Sequence, residues 1–224
     1  IGFVGDDLVG KSTIINSLLG ENVLPTTVIP SLAETTIKYG DERVVYDRNG
    51  SIIENSDLSQ SVEEKAYVSI SVNNEFLKKN SLVIREFHSL LNKEKLSDID
   101  TMADIYNCDA VILVMSAEHL LSEMERAFID NYRKYVGANH FLLIINRLTY
   151  VEETEVEHIL DYVKNQISSK FSDVNWMVFE PSEKYEDLIK KYTSVDLESG
   201  VMALFNMKQD ADDIPVRNTL GYIK

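Results

Sequence analysis

Apolar and polar positions alternate in blocks along this chain. Ile1 to Val4 is a short apolar run and predicts a buried strand. "KSTIINSLLG" then carries Ile14, Ile15, Leu18 and Leu19 at helical spacing, with Gly20 as a stop. Beyond a loop with Pro25 and Pro30, "ETTIKYG" and "RVVYD" predict two strands joined by Gly40-Asp41. "NGSIIENSDLSQSVEEK" reads as a turn followed by a polar helical stretch. "AYVSISV" and "SLVIREF" predict two more strands, separated by the turn-like Asn73-Asn74. "DAVILVMSA" and "HFLLIIN" are continuous apolar runs, the signature of strands buried on both faces. Between them, Ser122 with Glu125 three residues on forms a capping box, which predicts a helix to Val136 with Gly137 as its stop. Val156, Ile159, Leu160, Val163 and Ile167 share one face of a later helix. "NWMVFE" reads as a last strand and "EKYEDLIKKYT" as a helical continuation. Strands alternating with helices predict an α/β fold, a mostly parallel central sheet flanked by helices, in one domain over residues 1–224.

One motif sharpens this picture. "GDDLVGKST" follows the first strand directly, and Gly5, Gly10, Lys11 and Ser12 meet the phosphate-loop pattern Gly-x-x-x-x-Gly-Lys-Ser. Glycines let successive N–H groups turn inward around a phosphate. Lys11 reaches the β- and γ-phosphates in such a loop, and the Ser12 hydroxyl is the magnesium ligand. Thr13 lies in the first turn of a helix whose positive end faces the same anion. A strand before and a helix after are what this motif requires. They make the chain a candidate P-loop NTPase.

Charge and composition then exclude some partners. The net charge is −15, from 37 acidic and 22 basic residues, which argues against a nucleic-acid surface and against this domain gripping anionic lipid. Cys108 is the single cysteine, so no internal disulfide forms, in keeping with a reducing cytosol. The four histidines, His88, His119, His140 and His158, do not pair at metal-ligand spacing. No apolar run is long enough for a transmembrane helix, and no signal peptide is visible. The first residue already falls within a predicted strand, so the sequence reads as an excised domain or one lacking preceding residues.

Three stretches resemble the GTPase domain of the dynamin family, in particular the bacterial dynamin-like proteins. "GKSTIINSLLGENVLPTTVIP" is similar to the run from phosphate loop into switch I. "VSISVNNEFLKKNSLVIREFHSLL" is similar to the strand, linker and strand that lead to switch II. "NCDAVILVMSAEHLLSEMERAFI" and "FLLIINRLTYVEETEVEHILDYV" are similar to the later core strands with their helices. The resemblance spans roughly residues 1–170. It implies GTP or GDP with magnesium as cofactors, and partnership with itself or a paralogous dynamin-like protein across the nucleotide face. It also implies membrane remodelling through helical segments absent from this chain, and a cytoplasmic protein that is peripheral to membrane at full length.

The departures from the family pattern fall on functional positions. Leu8 stands where the family commonly has serine in the phosphate loop, beside the acidic Asp6 and Asp7. The expected switch I threonine falls at Leu32, with Ser31, Thr35 and Thr36 nearby; Thr35 and Thr36 equally fit the start of a strand. Switch II, Asp-x-x-Gly in the family, is Glu86-Phe87-His88-Ser89. Ser31 and Glu86 are therefore the candidate catalytic replacements. Guanine recognition, Asn/Thr-Lys-x-Asp in the family, is Asn146-Arg147-Leu148-Thr149. Ser182, in "PSEK", falls in the family's second base loop. Thr149 has no carboxylate for the two donors of guanine, and each such charged hydrogen bond is worth roughly 1.5–3 kcal/mol. Two expectations follow: a nucleotide-binding domain with weak or lost hydrolysis, or a pseudo-GTPase that dimerises with or regulates an active dynamin-like protein.

Overall fold

Phe3 and Val4 point to opposite faces of the same short strand, and that alternation divides the core in two. The computed structural model describes residues 1–26, 34–47, 49–53, 67–87 and 98–206, without the side chain of residue 101. Their strands are β1 (Gly2–Gly5), β2 (Thr35–Tyr39), β3 (Val44–Tyr46), β4 (Val68–Val72), β5 (Val83–Glu86), β6 (Val111–Ser116), β7 (Phe141–Asn146) and β8 (Asn175–Val178). They form one 8-stranded sheet in the order β3-β4-β2-β5-β1-β6-β7-β8. Pairing is antiparallel at β2–β5 and β3–β4 and parallel at the other named pairs. The mostly parallel α/β sheet expected from the sequence is present.

The helices are α1 (Lys11–Leu19), α2 (Glu75–Asn80), α3 (Ile99–Tyr106), α4 (Glu123–Tyr135), α5 (Glu153–Lys170), α6 (Glu186–Ile189) and α7 (Leu197–Asn206). On one face, Phe3, Ile112, Val114 and Ile144 join Ile14, Ile15 and Leu18 of α1, Leu77 of α2, and Val201 and Leu204 of α7. On the other, Val4, Val111, Leu113 and Leu143 join Ile105 of α3, Phe128 and Tyr132 of α4, and Leu160 and Val163 of α5. Each fully buried aliphatic or aromatic side chain stabilises the fold by about 1.5–3 kcal/mol. Helix α4 starts with the expected capping box: Ser122 Oγ accepts from Glu125 N at 3.2 Å, and Ser122 N donates to Glu125 Oε2 at 2.7 Å.

The structure differs from the sequence reading in three places. β2 and β3 form as expected but are not neighbours, because β4 lies between them. The Asn73-Asn74 stretch is no simple turn: Asn74 caps α2, its Oδ1 accepting from Leu77 N at 3.2 Å. Helix α7 had no counterpart in the sequence reading; it packs with Gly200 so close to the sheet that a Cβ there would sit 2.8 Å from Met177 Sδ. The predicted turn around Gly50 is present, with Gly50 N donating to Asp47 O at 3.0 Å. The polar helical stretch predicted after it lies largely outside the described residues.

Parallel pairing brings the C-terminal ends of β1, β5, β6, β7 and β8 to one edge of the sheet. In open α/β sheets that edge is where ligands bind.

Candidate functional site

The phosphate loop connects the end of β1 to α1. Gly5 is required by close packing, since a Cβ there would lie 2.5 Å from Val114 O on β6. Gly10 has a φ of 94° and is pressed against Asn146 Nδ2, leaving no room for a side chain. Gly10 is also the N-cap of α1. It offers no side-chain cap, and the first turn holds no acidic residue. The leading amides of α1, those of Lys11, Ser12 and Thr13, thus form an anion-ready helix end. Lys11 is buried, and its Nζ donates to Gly5 O at 3.0 Å and Asp6 O at 2.7 Å, arching over the loop. Asp6 and Asp7 are both exposed. Leu8 has a φ of 61° and is 46% exposed, so its side chain leaves the loop toward solvent. Asn16 on α1 ties down the following segment, its Oδ1 accepting from Val23 N and Leu24 N while Nδ2 donates to Leu24 O.

Beside the loop, Ser12 Oγ donates to Glu86 Oε1 at 2.7 Å. Glu86 ends β5 and is 5% exposed. Burial raises its carboxyl above the ordinary range, opposed by the charge of Lys11 and by the Ser12 hydroxyl. A buried carboxylate joined to a hydroxyl at the phosphate end suits a hard divalent cation with oxygen ligands, so the residues fit magnesium. Thr35 lies opposite Glu86 on β2, and the Thr36 hydroxyl pairs with that of Tyr67 at 2.6 Å, both as strand residues. Ser31, Leu32, His88 and Ser89 lie outside the described residues.

The residues predicted to meet the base lie in the loops after β7 and β8. Asn146 is 4% exposed, and its Nδ2 donates to Val9 O at 2.9 Å. Arg147 Nη1 donates to Leu8 O at 2.6 Å. Its guanidinium stands 3.8 Å from the Tyr150 ring centroid and 3.7 Å from Glu118 Oε2. Arg147 also has a left-handed backbone, φ 67°, so two non-glycine residues in this conformation, Leu8 and Arg147, are tied together. Thr149 follows within a 3-10 turn, Leu148–Tyr150. Glu180 Oε2 accepts from Thr149 N at 3.1 Å, and Glu180 Oε1 from Ser182 N at 3.2 Å. Ser182 Oγ in turn caps the next turn, accepting from Lys184 N at 3.3 Å.

No protein-family model matches the chain. A solved structure of an oligomerised bacterial dynamin pair, titled for the long-range sensing and tethering of membranes, aligns with a TM-score of 0.62. The match covers 93% of this chain and 47% of that one, at 15% identity. The chain shares its α/β fold with that bacterial dynamin pair. In sequence, the chain is similar to a bacterial dynamin-like protein of Nostoc punctiforme, at 25% identity over 176 residues. That alignment takes in 69% of the chain and 25% of the relative. It is also similar to dynamin-like protein 2 of Campylobacter jejuni, at 24% identity over 186 residues, 78% of the chain and 30% of the relative. The chain thus spans well under half the length of these two dynamin-like relatives.

The fold brings the predicted phosphate-loop residues Gly5, Gly10, Lys11, Ser12 and Thr13 together with Glu86, and the predicted base residues Asn146, Arg147 and Ser182 onto the neighbouring loops after β7 and β8. Among the described residues no helix is long and apolar enough to cross a membrane. Two carboxylates were not singled out from the sequence as site residues. Glu180 could have been found by counting two residues past the end of β8. Glu125 was identified as a capping residue, yet burial pushes its carboxyl up to about 7, against hydrogen bonds from Ser122 and with the charge of Asp6 adding to the rise.

Proposed function

We propose that this domain binds a guanine nucleotide, GTP or GDP, with magnesium, and turns it over slowly or not at all. The observation that carries the reading is the phosphate end: an uncapped helix start, a buried Lys11 arched over the loop, and a Ser12–Glu86 pair beside it. On nucleotide binding Lys11 exchanges two backbone carbonyls for phosphate oxygens, gaining charge-assisted bonds in place of neutral ones. Ser12 would hold magnesium and Glu86 would support it. The ion supplies neutralisation of the phosphate charge. Asn146 and Arg147 would flank the base, with Ser182 in the second base loop. The resemblance to the dynamin family supports the guanine assignment, and the dynamin character of the relatives supports self-association and a membrane context for the longer protein.

Slow turnover rests on the positions that would organise the attacking water. Leu8 has no side-chain hydrogen bond to offer, and its exposed side chain points away from the loop. Ser31 is the proposed switch I replacement and Glu86 the switch II one. The exposed apolar Leu8 at the mouth of the cleft favours a second reading, in which the domain is a pseudo-GTPase whose nucleotide face docks on itself or on an active dynamin-like partner.

The test is calorimetric titration with a non-hydrolysable GTP analogue, its ATP counterpart and GDP, each with magnesium and with chelator. Micromolar guanine binding that weakens in chelator is expected, with Glu86→Gln abolishing the magnesium dependence. No binding of any of the three would overturn the proposal and leave the docking reading.

A further inference from the structure

In the dynamin-like pattern the base loop ends in a carboxylate, and here that position is Thr149. We propose that Glu180 supplies the missing base-reading carboxylate from the neighbouring strand. The inference rests on the reading that this cleft takes a nucleotide.

β7 and β8 are parallel neighbours, with Ile145 opposite Val178, so both strands deliver their following loops to the same edge of the sheet. Glu180 comes two residues after β8. Its Oε2 accepts from Thr149 N at 3.1 Å and lies 3.5 Å from Thr149 Oγ1; its Oε1 accepts from Ser182 N at 3.2 Å. The carboxylate is therefore fixed at the residue that lost one, and it spans the two loops that bracket a base. These three donors are neutral. The nearby lysine, Lys184, is engaged by Glu153 at 2.9 Å. An ionised carboxylate offers about four acceptor sites; two backbone amides and the long bond from the Thr149 hydroxyl take three, and rotation of that hydroxyl frees a second for a two-donor base edge. Guanine presents two on one edge, N1–H and the 2-amino group. Adenine presents a bare N1 acceptor there, and xanthine a 2-oxo group, so both meet the carboxylate lone pair to lone pair.

A carboxylate that merely clamps the two loops would support every base equally. The experiment separates the roles by comparing GDP, ADP and xanthosine diphosphate binding to the chain, Glu180→Gln and Glu180→Ala, in magnesium. The parent is expected to prefer GDP over ADP by about tenfold or more. In Glu180→Gln that ratio collapses toward one, and xanthosine diphosphate gains about tenfold, since a side-chain amide donates to its 2-oxo group. The double variant Thr149→Asp/Glu180→Ala regains the preference for GDP. Unchanged GDP-to-ADP ratios in both single variants, or equal loss for all three nucleotides, would overturn the role of Glu180 while leaving the nucleotide cleft intact. Failure of the parent to bind any diphosphate would overturn both together.

Discussion

The two ends of the proposed nucleotide cleft are built on different terms. The phosphate end is local: Gly5 to Thr13 are nearly contiguous, and Lys11 bonds to Gly5 and Asp6 within its own loop. Among the described residues named at this end, Glu86 is the one that comes from elsewhere. The base end is assembled from Asn146, Arg147, Glu180 and Ser182, across two strands and two loops. A local motif depends on backbone amides and glycines, which few substitutions can replace. A site assembled across strands can draw a carboxylate from more than one position. This chain keeps the Gly5, Gly10, Lys11 and Ser12 signature of the local motif while Leu8 and Glu86 depart from the family pattern beside it, and at the assembled end the base-reading carboxylate is absent from its usual position, Thr149.

The largest expected effect lies at the local end. Lys11→Ala should weaken GDP binding by at least about a hundredfold, because two charge-assisted bonds to phosphate are lost. Calorimetry with GDP checks this, and a variant that bound as well as the parent would remove the contrast between the ends. An effect of comparable size, on stability rather than binding, concerns Glu125, which neighbours the charge of Asp6. Its folded-state value of about 7 lies above the ordinary carboxylate value of 4.5. The folded protein therefore holds this proton more tightly than the unfolded chain. Stability should fall as pH rises from about 4.5 to about 7, and level off above that. The loss is on the order of 3 kcal/mol. Glu125→Gln keeps an acceptor for the capping box and should flatten that slope; denaturant unfolding at pH 5 and pH 8 reads the difference. The smallest effect belongs to the base end. Arg147→Ala removes a cation over a ring and should weaken GDP binding only about threefold to tenfold, by the same titration. A hundredfold loss there would make the base end as unforgiving as the phosphate loop.

Legibility in the sequence follows the same division. The β1–loop–α1 unit was readable because strand, motif and helix lie within Ile1 to Gly20 and constrain one another. The buried strands β6 and β7 and the Ser122 capping box were equally local. The order β3-β4-β2 was not readable, since alternating apolar residues in "ETTIKYG" and "RVVYD" give the strands but not their neighbours. Helix α2 is six residues long, too short for a periodic pattern, though its signals were there: Asn74 as cap, Lys78 and Lys79 in the last turn. In α7, Gly200 breaks the helical pattern for a reason only packing reveals, the sulfur of Met177 against it. At the site, Asn146 and Arg147 were recognised by motif. The Thr149 position looked empty because the group that answers it, Glu180, is distant in sequence and adjacent only through parallel pairing.

The bonds from Asn146 to Val9 and from Arg147 to Leu8 make the two ends one mechanical body. Order imposed on one loop is order already gained for the other. Pyrophosphate and a nucleoside, offered as separate fragments, should then bind cooperatively, each rigidifying what its companion must otherwise immobilise. In that sense the cleft is an entropic relay, and a whole nucleotide should bind more tightly than its halves would suggest when each is measured alone.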